Sequence, residues 1–508
     1  MMKSGLILGV DVGTTSIKAA VVDTSSFEPV KFESVKAVVE YPKKHWAEKN
    51  PETLWNSIAE VCRAVADSSV DAVVFDAHMA GVVPVDENGN ALRNIITWLD
   101  ERAGGLPDDV WKGLIKIQGY SLRKLIKFLR ITGGAPSRTG KDPISKIIWI
   151  RDNEPDVFNK THKMLDVRGY LVARATGNFV TSPDEAHLTW LADTRGRRAR
   201  WSESILKDYN LPLSLFPEIK NSTEIAGYLT PQAASELGLN EGVPVIVGSG
   251  DVCATAVGSG AVRDNECHIY IGTSDWVAAH ISDRKTDIFH FIGSLLSAIP
   301  EKYLLIAEQE TAAGAIEWAM KLVGIEGQYD LVEKLVNEAE GGKLLFMPWF
   351  YGERAPIDDP YVRGGLINIS LDHGRGEVLR AMMEGVAMNI KWVYGYVEKM
   401  TGHQKEVSIV GGGALFDAWC QIIASAIKRP VKRIKSPELT GLRGIATMAA
   451  VGLGMETFES AAAKFRVDRV FRPNEKEAKT YDRMFEHYKS VYGKLKKIYR
   501  SLNSGSED

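Results

Sequence analysis

The chain opens on two apolar runs, Leu6 to Val12 and Ile17 to Val22, separated by the polar stretch Gly13-Thr14-Thr15-Ser16. β-rich runs flanking a glycine-and-hydroxyl turn predict a hairpin. Leu54, Ile58, Val61 and Val65 recur at helical spacing and predict a helix over 51–68. Short buried strands are predicted at 70–74, 82–85 and 243–247. Strands and helices alternate less clearly through the middle, which holds the basic loop Thr194-Arg195-Gly196-Arg197-Arg198. The opening pattern then returns: His268-Ile269-Tyr270-Ile271 leads into Gly272-Thr273-Ser274 and on to Trp276-Val277-Ala278-Ala279. A recurrence half a chain away predicts a duplication at domain scale, far longer than a solenoid period. Coincidence between two Gly-Thr turns is the plainer alternative. Beyond it, apolar spacing predicts a helix over 377–399 and a strand over 407–410 running into Gly411-Gly412-Gly413. A last helix is predicted over 474–500, capped by Asn474. Its Tyr481, Phe485, Tyr488, Tyr492 and Leu495 form one stripe that packs against the body.

The chain has 508 residues, too many for one core, and predicts at least two domains. It is 45% hydrophobic and 25% charged, an ordinary globular composition. The formal net charge of -3 supplies no global basic field for nucleic acid or an anionic membrane, and neither partner is expected. Cys62, Cys253, Cys267 and Cys420 form no CxxC pair, so a zinc or dithiol site has no support. Scattered cysteines fit a reducing compartment, and a cytoplasmic location is the expectation. Asp11 interrupts the N-terminal apolar run too early for a signal peptide, and no uninterrupted apolar run reaches membrane-spanning length.

No GxxxxGK[ST], HExxH, GxSxG or protein-kinase set occurs, so any phosphate must be handled by another device. Gly13-Thr14-Thr15 offers one: close backbone approach, successive N–H groups and two hydroxyls. Asp11 precedes it in an otherwise apolar strand. A buried carboxylate needs a donor or a cation, and Mg²⁺ beside a polyphosphate would serve. The plainer reading is an Asp that ties its own turn. Gly272-Thr273-Ser274 repeats the device. Gly411-Gly412-Gly413-Ala414 stands between a predicted strand and helix, a junction that suits a nucleotide but equally a simple turn. Asp251 ends Val247-Gly248-Ser249-Gly250, where a carboxylate can take a proton from an attacking hydroxyl or merely cap a helix. Trp98, Asp100 and Arg102 can stack on and hydrogen-bond a polyol, or form a surface ion pair. His78-Met79 follows a buried strand, where ligands often bind, although a single His is more often structural.

Taken in order, these elements resemble the FGGY carbohydrate kinase family, a branch of the sugar kinase/actin/Hsp70 superfamily. The resemblance runs from about residue 6 to about residue 455. It rests on Asp11 to Lys18, on Trp98-x-Asp100-x-Arg102, and on a first signature at Pro143 to Asn153. Gly248 to Asp251, a second signature at Gly364 to Glu384, and Gly411 to Ala414 complete it. Three positions depart from the family pattern. Lys141 stands where the first signature usually has a small or aromatic residue, and Asn368 where the second usually has Gly. His78-Met79-Ala80-Gly81 replaces the Gln-Met-His-Gly of xylulokinase-type members, which bears on the choice of sugar.

The resemblance implies an α/β fold of two ribonuclease H-like, actin-like ATPase domains with a central cleft. The expected division is 1–255, holding the sugar, and 256–508, holding ATP. It implies Asp251 as general base and Asp11 as a second catalytic carboxylate, both toward Mg²⁺. Gly13, Thr14, Thr15, Gly272, Thr273 and Ser274 would bind phosphates, with Gly314, Gly412, Gly413 and Asp417 bordering adenosine. His78, Met79, Trp98, Asp100, Arg102 and Asp251 would meet the sugar. Phosphoryl transfer from ATP to a ketopentose is expected first, with gluconate, glycerol or another polyol second. A silent sugar or nucleotide sensor is a further alternative, which intact Asp11 and Asp251 disfavour. A homodimer is compatible with the resemblance.

Overall fold

The computed structural model describes residues 5–104, 111–117, 119–137 and 139–504. Two mixed sheets organise it. In the first, the strands lie in the order Ile225–Tyr228, Pro244–Gly250, Val70–Ala77, Leu6–Val12, Ser16–Asp23, Glu28–Lys36. In the second, the order is Gly293–Leu296, Tyr303–Gln309, Asp275–Ile281, Cys267–Ile271, Val407–Val410, Val431–Ile434, Val467–Phe471. Both share one kernel. Three neighbouring antiparallel strands are joined, on the far side of the first strand, by two later strands that run parallel, and in the second sheet Gly293–Leu296 is added at the outer edge. The duplication suggested by two hairpins therefore extends to five strands on each side, the ribonuclease H-like, actin-like topology.

Boundaries moved for local reasons. The first helix spans Pro51–Val65, with Asn50 Oδ1 accepting from the N–H groups of Glu52 and Thr53. It stops short of 68 because Asp67 turns the chain, its carboxylate taking the Ser69 N–H and hydroxyl. The strand expected at 70–74 continues to Ala77, because Phe75, Asp76 and Ala77 keep pairing with Val10, Asp11 and Val12. Asn368 adopts φ +73°, a left-handed conformation that glycine and asparagine tolerate best, and its amide bonds the Lys343 carbonyl.

A core between the sheets joins the halves. Ile7, Val74 and Ile246 from the first sheet meet Ala278 and Leu304 from the second. Helices Asp251–Gly258 and Thr440–Gly452 fill the space between. These helices touch backbone to backbone: a Cβ on Gly444 would lie 1.8 Å from the Ala254 carbonyl oxygen. Part of the chain between 82 and 216 adds a separate apolar cluster around Ile96, Phe128, Ile144 and Ile147. The last helix, Glu475–Asn503, is capped by Asn474 and buries Tyr481 and Tyr488 as the stripe predicts. Their hydroxyls bond Glu384 and Asn389. Among the described residues no helix is long and apolar enough to cross a membrane.

Candidate active site

The first hairpin turns over four residues, with the Gly13 N–H bonded to the Ser16 carbonyl at 3.0 Å. Thr14 Oγ1 accepts from Trp98 Nε1 at 2.9 Å, so the indole steadies the turn. In the sheet, Asp11 lies in register between Lys18 and Asp76. Lys18 Nζ donates to Asp11 Oδ2 at 3.2 Å, supplying the cation that a carboxylate in an apolar strand requires. Asp76 is fully buried, and among the described residues neither of its oxygens finds a well-formed hydrogen bond. Burial, then the charges of Asp11 and Asp251, push its carboxyl well above the usual range. Helix Thr440–Gly452 begins directly over this pair. A Cβ on Gly441 would lie 3.1 Å from Asp76 Oδ2 and 3.5 Å from Asp11 Oδ2. The positive end of that helix thus faces the carboxylates.

Asp251 is the first residue of its helix, at the end of the strand Pro244–Gly250. Its Oδ1 accepts the Val252 N–H at 2.9 Å. Burial first, and the Asp11 charge second, push its carboxyl up to about 7. That value suits a base working near neutrality. Asp184 holds the preceding residue in place, accepting the Gly250 N–H at 2.8 Å.

The second hairpin turns over three residues, Gly272 N–H to the Ser274 carbonyl at 2.8 Å. The Thr273 carbonyl accepts from Ala312 and Gly314, which sets this turn against the start of helix Ala313–Leu322. Thr273 and Gly314 are therefore neighbours: a Cβ on Gly314 would lie 3.2 Å from Thr273 Cγ2. Tyr270 stacks on Trp276 at 3.8 Å. Burial raises its phenol, and the charges of Asp251 and Asp11 add to the shift, so the second hairpin reaches the carboxylates of the first half. Gly411, at φ +92°, bonds the Pro437 carbonyl, and a Cβ on Gly412 would meet nothing within 4 Å. Asp417 is held in ion pairs by Arg433, at 2.7 Å, and by Arg469.

On the other side, the structure alters part of the sequence reading. Asp100 was expected to offer its oxygens to sugar hydroxyls. It is instead fully buried and engaged by the Ala47 N–H and by the backbone and guanidinium of Arg102. The reason is local: Asp-x-Arg closes on itself, and Arg102 is further fixed by Glu48 at 2.6 Å and by the Trp46 ring at 3.7 Å. Arg102 Nη1 remains without a partner among the described residues. His78 is 2% exposed, and among the described residues both its ring nitrogens are unpartnered. Burial and then Lys49 depress its pKa well below the ordinary value, so the ring is neutral and offers one donor and one acceptor. Ala80 sits at φ +59°, and its carbonyl accepts from Lys146. Met79 packs under Gly250: a Cβ there would lie 2.4 Å from Met79 Cγ.

Three groups escaped the sequence reading. Asp76 carried the same signal as Asp11, an acid ending an apolar run. Tyr270 looked like an ordinary strand residue. Lys49, 1% exposed, gave no signal at all. A Mg²⁺ site fits the donor set. Asp11 keeps an oxygen that Lys18 does not bond, Asp251 keeps one that Val252 does not, and the oxygens of Asp76, unpartnered among the described residues, lie beside Asp11. Among the described residues no group of three or more His, Cys, Asp or Glu could hold a metal alone. A hard cation such as Mg²⁺ takes one or two carboxylates and completes its shell with phosphate and water.

Two actin-like domains meeting at carboxylates and paired Gly-Thr turns define a phosphotransferase architecture. Models of the FGGY family of carbohydrate kinases match residues 6–258 (N-terminal domain) and 267–453 (C-terminal domain). The chain is 28% identical to a xylulose kinase of Staphylococcus epidermidis, covering 99% of each chain. It is 26% identical to a gluconokinase of Bacillus subtilis, covering 94% of this chain and 93% of that one. The solved xylulose kinase of Lactobacillus acidophilus superimposes with a TM-score of 0.87 at 24% identity, over 98% and 100% of the two chains. The chain belongs to the FGGY family of carbohydrate kinases. It is a phosphotransferase with an alcohol acceptor, of a family that uses ATP as donor and small sugars as substrates.

Proposed function

We propose that this kinase transfers the γ-phosphate of ATP to a hydroxyl of a ketopentose, as the xylulose kinases it is similar to do by name. The ketopentose rests on that similarity, and the observation that carries phosphoryl transfer is Asp251, a carboxylate at a strand end with its pKa raised to about 7, in the field of Asp11 beside the Gly13–Ser16 turn. Asp251 takes the proton of the acceptor hydroxyl. Asp11, oriented by Lys18, would hold Mg²⁺, with Asp251 as the second carboxylate toward it; bound there, the ion screens phosphate charge. Thr14, Thr15, Thr273 and Ser274 grip the phosphates from two sides, and Gly314, Gly412 and Gly413 let adenosine approach. Asp417, locked to Arg433, holds the helix beside it. Trp98, Arg102 and His78 face the sugar, and Asp100 positions Arg102. Alignment and charge stabilisation are what phosphoryl transfer demands, and these residues supply both.

A second acceptor class, sugar acids such as gluconate, is supported by the substitution of Ala80 and by relatives named gluconokinase. Coupled measurement of ATP consumption against ketoses, polyols and sugar acids tests both. Turnover confined to sugar acids would overturn the ketopentose reading, and no turnover with any of them would overturn the kinase reading.

A further inference from the structure

Lys49 ends the short strand Glu48–Lys49, paired antiparallel with Ile95–Ile96, and the capped helix Pro51–Val65 starts two residues later. Its backbone is therefore fixed on both sides. The neighbouring Glu48 turns away to Arg93 and Arg102. Lys49 instead carries its ammonium inward to the carbonyl of Gly13, at 2.8 Å. It is 1% exposed, and among the described residues it makes no ion pair and no second hydrogen bond. Two of its three donors are unspent.

Burying an ammonium without a counter-ion is costly, and tying a carbonyl needs no charge, since an amide would do it. The other lysines nearby are committed: Lys18 to Asp11 and the Glu438 carbonyl, Lys146 to the carbonyls of Ala80 and Thr97. The carboxylates acting on Lys49 are Asp251 and Asp11, and Lys49 in turn acts on His78. Its bond to the Gly13 carbonyl ties it to the phosphate turn, and its charge is felt by the base Asp251 and by His78 on the sugar side.

We infer that Lys49 is a further catalytic residue, whose spare N–H groups bind the phosphoryl group during transfer. The inference rests on the kinase reading above. The acceptor oxygen forms a bond to phosphorus while the bond from phosphorus to the bridging oxygen of ADP breaks. That electron pair leaves with ADP, and the hydroxyl proton passes to the Asp251 carboxylate. Lys49 belongs to the acceptor side, so its charge counts most once phosphorus has moved toward the acceptor. It therefore stabilises the transition state more than bound ATP.

Lys49→Gln and Lys49→Arg test this, with thermal melts to confirm folding. The Gln variant is expected to lose about 10²-fold in kcat, the usual effect of removing one preorganised donor, with the KM for ATP within about threefold. Lys49→Arg is expected to recover part of the loss. Calorimetry gives a readout independent of turnover: aluminium fluoride should tighten Mg-ADP binding to the wild type, and Lys49→Gln should lose that gain while binding Mg-ADP alone normally. Should the Gln variant melt early, Lys49→Met takes its place in the same calorimetry, with loss of the gain expected and a retained gain overturning the assignment. A folded Lys49→Gln with near-normal kcat, or with the fluoride gain intact, would overturn the assignment. Wild-type protein inactive on every acceptor would overturn the kinase reading instead, while the fluoride comparison still decides the role of Lys49.

Discussion

The two hairpins are built alike and furnished differently. Across the first sheet, one row of side chains reads Lys18, Asp11, Asp76. The matching row of the second sheet, also two residues before the turn glycine, reads Trp276, Tyr270, Val410. One row is an ion pair beside an orphaned carboxylate; the other is an aromatic stack against an aliphatic strand. The backbone sets where a row lies, and the residues decide whether it handles charge or supplies rigidity. Only the first row has the groups for a cation and a migrating phosphoryl group. The second adds a turn, a phenol and a firm wall.

The sharpest way to break this comparison is at the charged side. Asp251→Asn should leave folding and Mg-ATP binding nearly intact and reduce sugar phosphorylation by at least about 10²-fold, the low end for a general base. Steady-state kinetics and calorimetry on the purified variant check both halves. In the wild type the sign of the pH effect is fixed. Asp251 must be ionised to accept a proton, and burial with the Asp11 charge pushes its carboxyl up to about 7, so kcat/KM should fall about tenfold per unit below that pH. An acid limb centred near 4 would remove Asp251 from this role.

Swapping the test between rows should invert its outcome. Trp276→Ala removes a buried ring from the aromatic row and should cost about 3 kcal/mol of stability, seen as a lower denaturant midpoint. Lys18→Met takes the cation from Asp11, with side chains 26% and 14% exposed so that water can still reach the pair, and should cost about 1–2 kcal/mol, less than the ring. Its phosphorylation rate should nevertheless fall about tenfold or more, because Asp11 loses the group that orients it. Equal stability losses in the two variants would mean the rows are not specialised.

Much of this division was legible in the sequence. The hairpin turns, Asp11 ahead of its glycine and the Gly248–Asp251 strand end all announce themselves as polar residues breaking apolar runs. What stayed hidden depends on contacts distant in sequence. Lys49 matters because its chain reaches the Gly13 carbonyl, which no local pattern encodes. Tyr270 matters because the interdomain core brings it near Asp251. Asp100 looked available because composition shows a carboxylate, whereas the fold spends it on Arg102. The polar turns then predict a smaller, paired effect. Thr14→Val and Thr273→Val should each weaken ATP use severalfold, each removing one hydroxyl from one side of the phosphates. A normal KM and kcat in both would mean the two turns do not act as a clamp.

The smallest expected effect lies in the choice of sugar, where this chain departs from its relatives' pattern. His78 is neutral and has both ring nitrogens unspent, while Ala80 presents only a methyl group. In a polyol site a few donors and acceptors fix orientation, and a missing hydrogen bond discriminates strongly between acceptors. Restoring the xylulokinase-type residues by His78→Gln with Ala80→His should raise the ratio of activity on xylulose to that on other acceptors severalfold. The absolute rate will not rise by the same factor. Ala80 already carries its Cβ at φ +59°, a conformation His tolerates at least as well, so the larger side chain must find room beside the site but adds little backbone strain. The carbonyl of that residue also holds Lys146, so a backbone shift would loosen the floor of the site. The ratio of kcat/KM values is therefore the quantity to measure, since a loss common to all acceptors cancels in it. A ranking unchanged in the double variant would place sugar selection elsewhere, with Arg102 and its unpartnered Nη1 the next residue to substitute.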